Sequence, residues 1–279
     1  KEGDAFKGTA DRQCFFLSLF LSHNDAMDLI FLLSCAALAG YVDAIVGGGG
    51  LILVPAFFST YPSAVAATLL GNNKSVSIWG TLFASWNYSR HIDLPWRKLL
   101  LAAAFAGASS FIGAWTLSLV SSEFLKKILP FVLLTVLVYT LFSKKLGRSH
   151  QPRFSGHWEL LVMLLVAGVI GFYDGFFGPG TGSFFVFIFV RLLRYDFLHA
   201  SGAAKVLNSA SNAAALCLFV YQGQIWWAIT IPMAICNILG SLIGTKMAVK
   251  HGSSFVRWVF LGVVTCLILK TARDAYLLN

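Results

Sequence analysis

The stretch Gly40-Tyr-Val-Asp-Ala-Ile-Val-Gly-Gly-Gly-Gly50 precedes Lys74 in an apolar run, and its pattern returns at Gly171-Phe-Tyr-Asp-Gly-Phe-Phe-Gly-Pro-Gly180 ahead of Lys205. One offset of 131 residues carries Gly40, Asp43, Gly47, Gly49, Gly71 and Lys74 onto Gly171, Asp174, Gly178, Gly180, Gly202 and Lys205. The same register pairs Trp96 with Trp227, Gly113 with Gly244 and Phe124 with Phe255. Chance matches among common apolar residues would neither hold one register nor select the rare charged residues. The chain is an internal duplication.

Around these motifs the sequence is 57% hydrophobic and only 12% charged over 279 residues, with a mean hydropathy of +0.75. A soluble domain carries about 25% charged residues, so a multi-span membrane protein is the natural class. The net charge of +9 is not a nucleic-acid signature. The basic residues sit in short clusters between apolar segments, as in cytoplasmic membrane loops, and form no basic stripe. The five cysteines form no Cys-x-x-Cys pair and four lie inside apolar runs, which reads as packing rather than metal or redox chemistry.

From Met27 the chain divides into five apolar elements, repeated. The first copy spans roughly 27–46, 51–59, 64–89, 98–120 and 124–143, and the second roughly 158–177, 182–194, 198–221, 226–249 and 255–275. The predicted organisation is a tail at 1–26, a first repeat at 27–143, a basic cytoplasmic linker at 144–157 and a second repeat at 158–275. The tail has only a seven-residue apolar stretch, Phe15 to Leu21, too short to span. The chain does not begin with Met, and the tail reads as dispensable or as upstream sequence. Most of the elements can cross a bilayer, but Leu51 to Ser59 gives a helix of only about 14 Å. Such segments, preceded by glycine runs, predict broken or re-entrant helices, whose irregular backbone is tolerated only inside protein or beside a wet cavity.

Loop charges predict orientation. The loop with Arg90, His91, Arg97 and Lys98 is basic, while its counterpart at 221–225 has no charge. The uncharged loop at 60–63 corresponds to one with Arg191, Arg194 and His199. Equivalent loops carry opposite bias, so the two copies are predicted to run in opposite directions, with the linker inside and both termini outside. Inverted repeats with broken helices are the architecture of secondary transporters, whose sites lie near the midplane.

Lys74 and Lys205 lie well inside their predicted helices, where snorkelling is difficult. Asp43 and Asp174 are the available partners. Two readings stand: buried pairs that hold broken helices to their neighbours, or lysines lining an anion site with the aspartates orienting them or carrying coupling protons. The glycine runs Gly47–Gly50 and Gly178, Gly180 and Gly182 precede short helices, where free N–H groups and the helix dipole favour an anion. Close helix packing is their other reading, and the better one for Gly240 and Gly244. Asn208 and Asn212 share a helix face with Lys205, and Asn73 shares one with Ser77, as expected of a polar stripe facing a cavity. No Walker A, dinucleotide fingerprint or His-Glu-x-x-His motif is present, so no enzyme, cofactor or metal is predicted.

The runs from Gly40 to Leu51, Asn73-Lys74, Gly171 to Ser183, and Ala204 to Asn208 with Ser211-Asn212 closely resemble the TauE/SafE family, the sulfite exporter family of bacterial inner-membrane permeases. The resemblance covers about residues 27–275. It implies an all-α polytopic transporter of sulfur-containing anions such as sulfite, sulfonates or sulfoacetate. The partners it implies are a small anion and the lipid bilayer; homo-oligomerisation is left open. Where the family usually has Ala-Thr before Asn-Lys, this chain has Leu70-Gly71-Asn72. A membrane subunit that binds a partner without transporting is the second reading.

Overall fold

The computed structural model describes residues 23–121, 123–124 and 156–277. The fifth element of the first repeat and most of the tail and linker lie outside these residues. Among the described residues there are helices and no strand. The first half contains α1 (His23–Val46), α2 (Gly50–Thr60), α3 (Ala66–Ser89) and α4 (Trp96–Ser118). The second contains α5 (Gly156–Phe176), α6 (Thr181–Ile188) extended by a π-turn at Phe189–Leu193, α7 (Phe197–Tyr221) and α8 (Trp227–Leu277). The last is broken at Gly252, whose φ of 72° and ψ of −168° leave the helical region. These bounds follow the predicted elements closely, and the break at Gly252 is the predicted boundary between 249 and 255.

Among the described residues, five helices are long and apolar enough to cross a membrane: Ala26–Val46, Trp96–Ser118, Gly156–Phe176, Phe197–Tyr221 and the first part of α8, Trp227–Gly252. Large apolar side chains point outward in stripes at helical spacing, as at Leu161, Leu165 and Val169 on α5 and Ile231, Ile235, Leu239 and Ile243 on α8. Polar groups point inward: Asn72, Lys74, Asp174, Lys205 and Asn212 are all buried. This inverts the usual soluble arrangement and suits a lipid solvent.

The short helices fold back. Leu53, Ala56 and Phe57 of α2 share one apolar cluster with Leu32, Ala36 and Ala39 of α1. Had α2 continued the direction of α1, Phe57 would lie about 37 Å from Leu32. The chain therefore turns at 47–49. The second half does the same, with Phe185 and Phe189 packed in a cluster with Met163, Val166 and Ala167. The outcome is a pair of helical hairpins.

The two halves are interlocked rather than side by side. α1 packs on α8 and α5 packs on α4, while α3 and α7 pack against each other in the middle. Small residues allow these crossings. A Cβ added at Gly40 would fall 2.1 Å from the Asn237 carbonyl oxygen, and one at Gly171 would fall 2.5 Å from that of Ala106. These contacts are equivalent under the 131-residue offset. So are those of Gly113 with Phe172 O and Gly244 with Tyr41 O. Hydroxyls repeat the relation: Ser110 Oγ donates to Ser211 O at 2.8 Å, and Ser241 Oγ donates to Gly80 O at 2.6 Å. Each contact between residue i and the partner of j is matched by one between j and the partner of i, which is a pseudo-two-fold relation. Gly240, whose added Cβ would fall 1.9 Å from Ala37 O, is a packing residue as expected.

Gly40→Val and Gly171→Val should each destabilise the folded protein by about 1–3 kcal/mol or more, because the clash is with backbone. Thermal unfolding in detergent checks this, with lipid-facing Leu239→Val expected to unfold at the wild-type temperature.

Candidate functional site

The hairpin tips meet. Gly47, with φ 79°, ends α1 in the left-handed conformation favoured by glycine, and its offset partner Gly178 has φ 90°. A Cβ at Gly47 would fall 2.1 Å from the Gly182 backbone, and one at Gly50 would fall 3.2 Å from Pro179 Cα. The Ser183 N–H donates to Gly47 O at 3.1 Å. The tips thus pack backbone to backbone. They also diverge locally: Gly180 has φ 82°, whereas its counterpart Gly49 is right-handed at −58°.

Ending a helix inside the protein leaves carbonyls without partners. Three hydroxyls from three other elements meet this need at the end of α1. Tyr88 Oη donates to Ala44 O at 3.0 Å, Ser201 Oγ to Ile45 O at 2.9 Å and Ser183 Oγ to Val46 O at 2.9 Å. Tyr88 and Ser201 carried no sequence signal, because nothing local to either residue announces a carbonyl more than 40 positions away.

Around the tips the four central charges pair across the repeats. Lys74 Nζ of the first lies 2.5 Å from Asp174 Oδ1 of the second, and Lys205 Nζ of the second lies 2.7 Å from Asp43 Oδ2 of the first. Both lysines are the ninth residue of their helices, α3 and α7. Each aspartate has one further partner. Ser211 Oγ donates to Asp174 Oδ2 at 2.6 Å, and the Gly49 N–H donates to Asp43 Oδ1 at 3.3 Å.

A polar cavity of about 20 Å³ lies between the pairs. Its walls include Lys74, Asp43, Asp174, Asn73, Asn208 and Asn212. Gly47, Gly50, Gly178, Gly180 and Gly182 also line it; Lys205, Gly48 and Gly49 do not. Ser77 and Thr181 complete the wall. Asn212 Nδ2 approaches Asn208 Oδ1, and Ser77 Oγ approaches Asn73 Oδ1, each at 3.5 Å. That distance is the weak limit of a hydrogen bond, so these side chains keep most of their capacity for a guest. Asn72 does not belong to the site. Its amide spans to Thr68 O and accepts the Trp226 N–H at 2.8 Å. Among the described residues no group of three His, Cys, Asp or Glu could hold a metal ion.

A second polar cluster lies at one end of the bundle and was not legible beforehand. Buried Glu159, at the start of α5, takes an ion pair from Lys98 of α4 and a 2.5 Å hydrogen bond from Tyr195 Oη. The offset relates Glu159 to exposed Asp28, but Lys98 and Tyr195 to Ile229 and Ala64, so the cluster has no counterpart at the equivalent place. Burial, and then Glu159, hold the Tyr195 phenol above its ordinary pKa of 10.

A family profile described as "Sulfite exporter TauE/SafE" matches residues 32–271. The chain belongs to the TauE/SafE family. It is 37% identical over 252 residues to a "Probable membrane transporter protein" of Haemophilus influenzae, covering 90% of this chain and 96% of that one. It is 33% identical to the "Probable membrane transporter protein YfcA" of Escherichia coli K12, covering 94% and 95%. With Bacillus subtilis "Probable membrane transporter protein YunE" the identity is 21%, over 80% and 91%. No solved structure matches. This TauE/SafE chain is therefore an α-helical protein of a membrane transporter family.

Removing one member of a buried ion pair leaves a bare charge, at a cost of about 3–5 kcal/mol. Lys74→Ala should lower the unfolding temperature. Adding Asp174→Ala should restore part of the loss, whereas adding Asp43→Ala should deepen it. A double-mutant cycle in detergent reads this crossed pairing directly. Tyr195 gives a separate test. A tyrosine whose folded pKa is raised contributes stability that is full below the unfolded value and lost as pH rises past it. Stability should therefore decline above about pH 10, and Tyr195→Phe should flatten that decline in a pH series of thermal melts.

Proposed function

We propose that this TauE/SafE protein is a secondary transporter of small anions, with sulfite or an organosulfur anion as its substrate class and the bacterial inner membrane as its location. The observation that carries the reading is the polar cavity at the meeting of two hairpin tips, walled by Lys74, three asparagines and glycine backbone beside Asp43 and Asp174. A cation, amide donors and glycines that let a ligand reach the main chain suit an anion. The family description names sulfite export, and the bacterial relatives are named as membrane transporters.

The residues assigned to the substrate are Lys74, Asn73, Asn208 and Asn212, with the backbone of Gly47, Gly50, Gly178, Gly180 and Gly182. Lys205 acts on the site through Asp43. The repeats, 27–143 and 158–275, run in opposite directions across the membrane, as their opposed loop charges require. A volume of about 20 Å³ admits about one water. An anion therefore enters only when the interlocked halves separate toward one side. In alternating access, the cavity opens to each side in turn.

The test is flux in proteoliposomes loaded separately with sulfite, thiosulfate, sulfoacetate or a simple carboxylate. At least one sulfur anion should be carried, and Lys74→Ala should cut its flux by about tenfold or more, equivalent to at least 1.4 kcal/mol. Flux indifferent to Lys74, or none for any anion from folded protein, would discard the reading.

A further inference from the structure

We infer that the two crossed ion pairs have different jobs: Lys74–Asp174 opens in each cycle with Asp174 taking up a proton that travels with the anion, while Lys205–Asp43 stays closed as a strut. The inference rests on the anion-transport reading and specifies how that site is driven.

Charge balance comes first. Two lysines and two carboxylates surround the cavity, so it is neutral before substrate arrives. An anion would bring uncompensated negative charge among buried side chains, which is costly. For a singly charged anion, one proton on one aspartate frees one lysine and restores the balance.

The two aspartates are not equivalent. Both lysines are buried, but Lys74 and both aspartates line the cavity, whereas Lys205 does not. Only Lys74 can turn from its carboxylate to a guest, so the proton belongs on its partner, Asp174. The further hydrogen bonds agree. Ser211 Oγ donates to Asp174 Oδ2, and a hydroxyl can also accept. It can therefore hold Asp174 whether that side chain is a carboxylate or an acid. Asp43 is held instead by the Gly49 N–H, which can only donate.

The charged and titratable neighbours of Asp174 are few. α3 presents Lys74 and α7 presents Ser211 and, paired away, Lys205. α1 contributes Asp43, and α5 itself contributes Tyr173, whose Oη donates to Pro179 O. α6 and residues 99–118 of α4 carry no ionisable side chain. Among the described residues, no other of these neighbours could take the proton in place of Asp174 without first breaking the Asp43 pair.

The experiment uses full-length protein in proteoliposomes, with the membrane potential clamped by valinomycin and potassium. The probe is methanesulfonate, alongside isethionate, both singly charged sulfonates throughout the pH range used. One coupled proton per anion changes the steady-state accumulation ratio about tenfold per pH unit of gradient. Wild type should show that slope. Asp174→Asn, a fixed neutral side chain, should equilibrate the anion with no slope, and Lys74→Ala should carry neither anion. Lysine-dependent flux without a pH slope in wild type would overturn the proton step and leave the transport reading standing. Absence of lysine-dependent flux would overturn both. Infrared titration of purified protein reads the acid without substrate. The protonated-carboxyl band that grows on acidification should lose a component in Asp174→Asn, shift in Asp174→Glu and persist in Asp43→Asn. Loss of that component in Asp43→Asn, or its presence in Asp174→Asn, would overturn the assignment.

Discussion

Two lysine charges held away from water set the terms for the rest of this fold. Taking an ammonium out of water costs several kcal/mol even after relaxation, and only a well-placed counter-charge offsets it. Here the counter-charge always comes from the other repeat. Lys74 on α3 needs Asp174 at the end of α5, and Lys205 on α7 needs Asp43 at the end of α1. Neither half satisfies its own lysine. The halves must therefore interlock, and α3 and α7 must pass each other at the centre. The small-residue crossings of α1 on α8 and α4 on α5 bring the aspartates within reach.

A second constraint follows from where the aspartates sit. Asp43 stands three residues and Asp174 two residues from the end of its helix, each close to a turn. A buried turn exposes backbone groups that lipid cannot solvate. The structure answers with hydroxyls drawn from α3, α6 and α7 and with glycines that adopt positive φ or admit another backbone. Gly47 serves both purposes, ending α1 and receiving Gly182. The glycine run is thus at once a packing device and a cavity wall, and the two readings open at the level of sequence are not exclusive.

Much of this was legible in the sequence. The 131-residue register identified the duplication, and the segment lengths marked α2 and α6 as too short to span. The buried lysines, aspartates and asparagines stood out because ionisable and amide groups are rare in apolar runs. The crossing of the pairs was not legible. An offset says which residues are equivalent, not which ones touch, and pairing within or across repeats satisfies the same charges. Glu159 with Lys98 and Tyr195 escaped notice for a related reason. Its three members are ordinary at segment ends, and only the tertiary fold brings them together. The helix caps made by Tyr88 and Ser201 depend in the same way on long-range packing.

Duplication supplies a near-symmetric frame, and the departures from symmetry give that frame a direction. The polar stripe of α3 is Asn73 and Ser77, whereas that of α7 is Asn208 and Asn212, and Asn73 corresponds to Ala204. One lysine faces the cavity and its twin does not. One aspartate is held by a hydroxyl and its twin by a main-chain amide. One end of the bundle has the Glu159 cluster and the equivalent place has none. A strictly symmetric pair of hairpins would have two equal lysines competing for one guest and two equal carboxylates competing for one proton. Unequal partners remove that degeneracy. Lys74 and both aspartates reach the cavity wall, and Lys205 stands behind it.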